Sequence, residues 1–550
     1  MNRPLLRLPD YTLLFVGLFT LAYFFLTHEG LYAIDDYFYS RYAYQLSTGT
    51  FHLAPDPQGL LHDPLRERVL IFAPVALLYR LFGVNIITTT VWPLLCTCGC
   101  SVLFWVLYRR REPIVAAAAM LLLGLHYFSL NLSNYLYPDN ILMFWCLCSA
   151  SALMAGRRTE GKPGAWGVGF ALLTFAALLS KETIVYYFPF YAALLLLDLR
   201  YGRRWLFWGA ALGTGAVLLI GYLAYYQIYT DDALYRIHLI ERTNDFLKEG
   251  NYLGGNRAAL LARITWQPLD FLVSTGLGGV LVFAVAALFG RRQNLGSDAS
   301  FWLGLAFTTL AFYWLGSTSL SQYNPITLLP RMTTPLLPPL CLAAGFGLRN
   351  FVRTGRGGWL LGLALLAAAA WARSSISLIY TGLSLYFLGA AWWVKSDGRR
   401  AGTVAFAGAA LLAVGLCTAI RPIYFMRKPS VSSHFDQDRI IRGHLQAPAR
   451  GVVFVDDFLI DNYDFYYGYQ VPPGLTFRRY SAADSVHLGS GQRAWLLLNR
   501  STLTNDELTR KLIRYSEQEV LQRFPERQPV AEAGKVTLYD VTPSISAPSR

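Results

Sequence analysis

Residues 11–48 read YTLLFVGLFTLAYFFLTHEGLYAIDDYFYSRYAYQLST. The first part, 11–27, carries no charge and follows Arg3 and Arg7. Crossing a hydrocarbon layer of ~30 Å takes about 20 apolar residues in a helix. No small-residue cleavage site follows, so the run reads as a retained signal anchor rather than a removed peptide. The second part places two adjacent acids, Asp35 and Asp36, and then Arg41 among tyrosines and phenylalanines. An uncharged membrane anchor followed at once by a carboxylate pair sets the two questions of the chain: how often it crosses, and what the acids do.

Moving outward, similar runs recur near 86–108, 113–131, 140–156, 164–180, 183–199, 205–229, 271–290, 300–317, 331–348, 358–375, 376–394 and 401–421. With the first they make thirteen expected spans. Over 550 residues, 54% are hydrophobic and 15% charged, and mean hydropathy is +0.35. Soluble domains are about a quarter charged. A disordered chain, a soluble multidomain enzyme and a disulfide scaffold are excluded. The seven cysteines all lie in apolar runs and read as small core residues.

The net charge of +14 is distributed unevenly. The N-terminus and segments 109–112, 157–162, 198–204, 291–298, 349–356 and 395–400 together carry +13; the rest of 1–425 carries −1 and residues 426–550 carry +2. The excess follows the positive-inside rule. It places those segments in the cytoplasm and the tail outside. Basic patches interleaved with aromatics are absent, so no nucleic-acid partner is expected; membrane lipids are the expected surroundings. Residues 67–82, opened by Arg66 and Arg68, are apolar but short and read as a helix at the outer interface. If they spanned, Arg109, Arg110 and Arg111 would fall outside.

From about Met426 the composition changes. Residues 451–456 and 494–498 read as buried strands, 536–541 as a late strand, and 504–523 as a helix with Thr504 as N-cap and Glu507 completing a capping box. The expected architecture is therefore a polytopic α-helical membrane protein of about thirteen transmembrane helices with a long first outer loop (1–425), plus a small C-terminal α/β soluble domain (426–550).

The chemistry-bearing residues gather at outer span ends. Asp35 or Asp36 could deprotonate an acceptor hydroxyl or amine, while the other holds it in place; a solvated loop end is the plain alternative. Arg41 could pair with Asp36 or a later acid. Arg66, Arg68, Asp139, Lys181, Glu182, Arg242 and Arg331 all fall on the face that carries Asp35. Ionisable groups at membrane depth mark function, and the cations suit an anionic leaving group such as a phosphate. Each cation alone could equally snorkel to headgroups. His238 could serve as a base or be structural. Asp456, Asp457, Asp461 and Asp464 could bind a divalent cation or form a solvated loop. Gly276, Gly278 and Gly279 lie in an apolar span and read as helix packing. No P-loop, HExxH or GxSxG motif is present.

An acidic pair after the first span, a long first outer loop, YPD at 137–139 after the third span and SKET at 180–183 after the fifth form an ordered set. This set resembles the polyprenyl-phosphate-dependent glycosyltransferases of the C superfamily, which include protein O-mannosyltransferases and the bacterial aminoarabinose transferase acting on lipid A. The resemblance covers roughly residues 10–350. It implies inverting sugar transfer from a polyprenyl-phosphate donor to a lipid, glycan or protein acceptor on the periplasmic or lumenal side; the many Leu, Ala and Arg suit a bacterium, so a bacterial inner membrane with the site facing the periplasm is expected. The resemblance makes Asp35 the catalytic acid, with Asp36 where mannosyltransferases usually have Glu. Arg66 or Arg68, Lys181, Arg242 and Arg331 would meet the donor phosphate. Asp139 matches the family's acid in the second outer loop, and Arg41, Glu182 and His238 are expected to support the acceptor side. No metal is required, because guanidinium and ammonium groups can neutralise the phosphate, although a divalent cation is possible beside two carboxylates. The tail does not resemble a soluble mannosyltransferase domain. A lipid or polysaccharide transporter, and a receptor or assembly protein acting through its tail, are the competing readings. A transporter would be expected to show internal repeats and midplane charges.

Overall fold

In a computed structural model, the structure describes residues 3–31, 34–53, 66–159, 161–246, 257–289, 297–321, 323–372, 374–396, 403–428, 432–457, 460–503, 516–542 and 544. Each expected apolar run contains helix. The helices are α1 (Arg3–Thr27), α2 (Ile34–Thr48), α3 (Val69–Phe82), α4 (Ile86–Tyr108), α5 (Pro113–Gly124), α6 (Tyr127–Asn131), α7 (Pro138–Arg158), α8 (Pro163–Ser180), α9 (Phe188–Arg200), α10 (Trp205–Thr230), α11 (Tyr235–Phe246), α12 (Arg257–Ile264), α13 (Gln267–Ser274), α14 (Leu277–Ala286), α15 (Asp298–Leu315), α16 (Leu337–Thr354), α17 (Gly358–Ala372), α18 (Ser377–Ser396), α19 (Val404–Met426) and α20 (His434–His444). Local chemistry sets several starts. Asn85 and Thr88 form a capping box at α4, and prolines open α5, α7 and α8, where a missing N–H costs nothing.

Among the described residues, eight helices are long and apolar enough to cross a membrane, or ten if each of two bent pairs counts as one span. The expected thirteen is not reached on that criterion. The segment 113–131 bends by 62° between α5 and α6, and 271–290 bends by 105° between α13 and α14. Gly276 makes the second bend with φ +92°, a left-handed conformation open to glycine. Helix α3 has 14 residues, so it measures about 21 Å and is too short to span.

α5 and α16 form the centre. Every residue of α5 is buried, as is the first two-thirds of α16. Close approach needs small residues: a Cβ on Gly347 would lie 1.9 Å from the Phe283 carbonyl oxygen of α14. Leu14, Leu18, Leu21 and Phe25 on α1, and Leu360, Leu363 and Trp392 on α17 and α18, face outward. This is the reverse of a soluble surface.

The tail carries one five-stranded sheet ordered β2-β1-β3-β5-β4, with β1 (Gly451–Val455), β2 (Leu475–Arg479), β3 (Arg493–Asn499), β4 (Gln528–Ala533) and β5 (Val536–Asp540). β1 pairs in parallel with β2 and β3, and β5 runs antiparallel to β3 and β4. Successive residues of β1 feed opposite faces, Val453 and Val455 into one core and Val452 and Phe454 into the other. The expected capping box at Thr504 and Glu507 lies outside the described residues. The helix Glu517–Arg523 has its own box, formed by Ser516 and Glu519.

α2 is held on two sides. Phe38, Tyr39, Tyr42 and Ala43 pack with Ile71, Phe72 and Val75 of α3. One helical stripe away, Tyr37, Ser40, Arg41 and Tyr44 meet the tail. The Tyr37 hydroxyl lies 3.1 Å from both His434 Nδ1 and the Tyr466 hydroxyl. Tyr469 donates to Ser40 at 2.6 Å and stacks on Tyr44 at 4.8 Å. Arg41 pairs with Asp464 at 3.4 Å.

Candidate functional site

Asp35 and Asp36 occupy the first turn of α2, where the helix dipole favours negative charge. Their surroundings differ. The Asp35 side chain is 32% exposed, whereas Asp36 is fully buried. A substrate can therefore reach Asp35 and not Asp36. Arg331, from the short 3₁₀ turn Pro330–Thr333 ahead of α16, places Nη1 3.4 Å from Asp35 Oδ2. Its guanidinium lies 5.3 Å from the Tyr137 ring centroid. Four element ends meet here: the start of α2, the start of α7, the end of α8 and the approach to α16. The basic segments at 109–112 and 157–162 close the opposite ends of α4 and α7.

Behind this pair, Lys181 Nζ donates to Asp139 Oδ1 at 2.8 Å and touches the Met332 sulfur at 3.3 Å. Both partners are at least 90% buried. A second network lies along α3 and α11. Arg68 donates to Glu182 at 3.1 Å and 3.4 Å, a forked contact, and to the Tyr39 hydroxyl at 3.2 Å. Arg236 bridges Glu182 and Glu67. The two neighbouring carboxylates hold Arg68 and Arg236 charged above the ordinary guanidinium range despite burial.

The expected residues thus separate. Asp35, Arg331, Asp139 and Lys181 form one group, and Arg68 and Glu182 a second. Arg66 donates to the His52 carbonyl at 2.7 Å and lies over Tyr42. Arg41 serves the junction with the tail. Arg242 is exposed on α11, and the structure does not bring it into either group; Arg236, on the same helix, takes that place. His238 is half exposed and pairs with Asp232 at 2.7 Å, which holds that carboxyl below its ordinary range. Glu67, Tyr39 and Arg236 are participants that sequence reasoning left out. The one signal for Glu67 was its position between two arginines. Arg263, fully buried, is engaged by the carbonyls of Tyr313, Trp314 and Ile326 and holds that loop together.

The acids of the tail diverge. Asp456 accepts from Tyr463 at 3.0 Å, Asp457 from Ser481 at 2.9 Å, and Asp464 reaches Arg41. Among the described residues, no three of His, Cys, Asp and Glu converge in a way that could hold a metal ion.

Chemically, the site offers a reachable carboxylate touching a reachable guanidinium, with further buried charge behind. Across these ion pairs four cations (Arg68, Lys181, Arg236, Arg331) face four carboxylates (Asp35, Glu67, Asp139, Glu182), so the pairs themselves are balanced in charge.

No protein-family model matches the chain, and no curated protein matches it. Solved structures do. ArnT from Cupriavidus metallidurans in the apo state superposes with a TM-score of 0.59 at 14% identity, over 98% of this chain and 99% of that one. The same protein bound to undecaprenyl phosphate gives a TM-score of 0.56 at 15% identity, with the same coverage. The chain therefore has the ArnT fold over nearly its whole length, tail included.

Proposed function

We propose that the chain is an inverting membrane glycosyltransferase that moves a sugar from a polyprenyl-phosphate donor to an acceptor at the outer face of a bacterial inner membrane. The observation that carries the reading is the Asp35–Arg331 contact, a reachable acid against a reachable cation with the buried Lys181–Asp139 pair behind it. It is supported by a fold shared with ArnT, an aminoarabinose transferase of which one structure holds undecaprenyl phosphate.

The balanced charge gives the reaction an order. An arriving donor phosphate competes with Asp35 for Arg331, which can meet two phosphate oxygens at once. Asp35 is released from its cation and is free to meet the acceptor. It then takes the proton of the acceptor hydroxyl or amine as that group attacks the anomeric carbon. The bond to phosphate oxygen breaks on the opposite face, and Arg331 stabilises the charge that develops there. Asp36, buried, braces the helix turn that carries Asp35. Lys181–Asp139 and Arg68–Glu182–Arg236 keep positive groups close to the departing phosphate without leaving them unpaired. The acceptor classes are lipid A or lipopolysaccharide, another glycan, or protein.

The test is sugar transfer from radiolabelled polyprenyl-phosphate sugars in proteoliposomes, wild type against Asp35→Asn. A positioned general base contributes roughly 10²–10⁴ in rate, and a loss of that size in a folded variant is expected. Transfer by Asp35→Asn at the wild-type rate would overturn the assignment. An arm with EDTA decides whether a divalent cation takes part.

A further inference from the structure

The last apolar helix carries a cation that the site does not use. Arg421 lies in α19, five residues before its end at Met426. That is about 7–8 Å along the axis, close to headgroup depth at the outer face. Its guanidinium sits 4.5 Å from the ring centroid of Tyr127, 4.8 Å from Phe128 and 5.9 Å from Phe425. Tyr127 and Phe425 stack at 4.2 Å and fix this cradle. The guanidinium therefore has one orientation, unlike a surface arginine snorkelling freely.

That orientation faces a recess of about 480 Å³, a volume that includes its open mouth. Both backbone breaks of the bundle border it, the bend at Leu125–His126 and the bend at Gly276. His126 lines it as well and is 5% exposed. Both His126 ring nitrogens and Arg421 Nη1 are buried with no hydrogen-bond partner among the described residues. Three other polar side chains of the lining are already engaged: Tyr380 donates to Val273, Thr275 to Phe271 and Thr418 to Val414. The rest of the wall is apolar, as at Leu122, Val280, Phe283 and Leu383.

A buried donor of a charged group left without an acceptor is costly. One such donor, on Arg421, and the N–H of the buried His126 imidazole converge on one recess with apolar walls at headgroup depth. The ligand that satisfies them is an anion that carries its own hydrocarbon. We infer that this recess binds the phosphate group of an anionic lipid, with Arg421 and a neutral His126 N–H donating to its oxygens and acyl chain along the apolar wall. The site shares no residue with the Asp35–Arg331 group.

The test uses full-length protein in mild detergent and native mass spectrometry, with phosphatidylglycerol or phosphatidylcholine added. Wild type is expected to retain phosphatidylglycerol preferentially. Arg421→Gln is expected to hold it about tenfold more weakly, equivalent to ~1.4 kcal/mol. Equal retention by wild type and Arg421→Gln, or equal retention of both lipids by wild type, would overturn the inference. A measurement without any variant guards against misfolding. Phosphatidylglycerol should raise the wild-type melting temperature, while phosphatidylcholine and inorganic phosphate should not. A full shift from inorganic phosphate alone refutes the lipid assignment.

Discussion

Arg236 and Arg242 lie on one helix, and only the first enters the charge network. Arg236→Gln removes the shared partner of two carboxylates. Glu67 is almost fully buried, and Glu182 keeps Arg68 at 3.1 Å. Breaking a buried pair by deleting one partner costs ~3–5 kcal/mol, because the other charge stays behind. Since Glu182 retains Arg68, the cost falls near the lower end, ~3 kcal/mol. Arg242→Gln, at an exposed position, should lie within about 0.5 kcal/mol of wild type. The decisive measurement is a double-mutant cycle with Glu67→Gln, followed by reversible unfolding in mixed micelles. Removing both charges should return at least ~1 kcal/mol relative to the sum of the single costs. If Arg236→Gln and Arg242→Gln are equally stable, or if the two costs at 236 and 67 simply add, the network does not hold the site together as described.

Two further outcomes follow from buried charge. Lys181→Met should destabilise by ~3–5 kcal/mol, and Lys181→Met with Asp139→Asn should recover much of the loss; thermal melting of the single and double variants checks this, and a double no better than the single refutes the pairing. His434, facing Tyr37, Tyr466, His28 and Arg442, is lowered by burial from its ordinary 6.5 to about 3. Between those values the unfolded imidazole binds a proton that the folded one refuses, so stability is complete above pH 6.5 and falls as pH drops toward 3, by at most ~1.4 kcal/mol per pH unit. Melting between pH 7 and pH 4.5 should show this slope in wild type and a shallower one in His434→Gln; identical slopes would refute it.

Individual charges were legible in the sequence because an acid or base among apolar residues stands out, as Asp35, Asp139, Lys181 and Arg331 do. Their pairings were not, since Arg331 and Asp35 are separated by 296 residues. Arg236 went unnoticed in the sequence because which face of α11 meets Glu67 and Glu182 is decided by tertiary structure, whereas Arg242, expected at the donor phosphate, is exposed on the same helix. Arg41 was expected to pair with Asp36 or a later acid, or to support the acceptor; the acid it meets is the later one, Asp464 in the tail, which no local pattern could single out. Hydropathy records that 113–131 and 271–290 are apolar but not that the backbone turns within them. The buried strands β1 and β3 announced themselves by continuous apolar residues. β2 and β4 are edge strands with mostly exposed side chains and gave no such signal.

The brace on α2 sets a timetable for the protein's own maturation. Tyr37 and His434 are 397 residues apart. At ~5–20 residues per second, roughly 20–80 s pass between the synthesis of one and the other. Throughout that interval the helix bearing Asp35 is threaded but held on one side only. The support of Asp35 should therefore be complete when the tail is finished rather than when the acid itself emerges. A chain stopped after Arg427 should insert normally yet leave 34–48 open to protease. Protection equal to that of the full chain would show that α3 alone is a sufficient support.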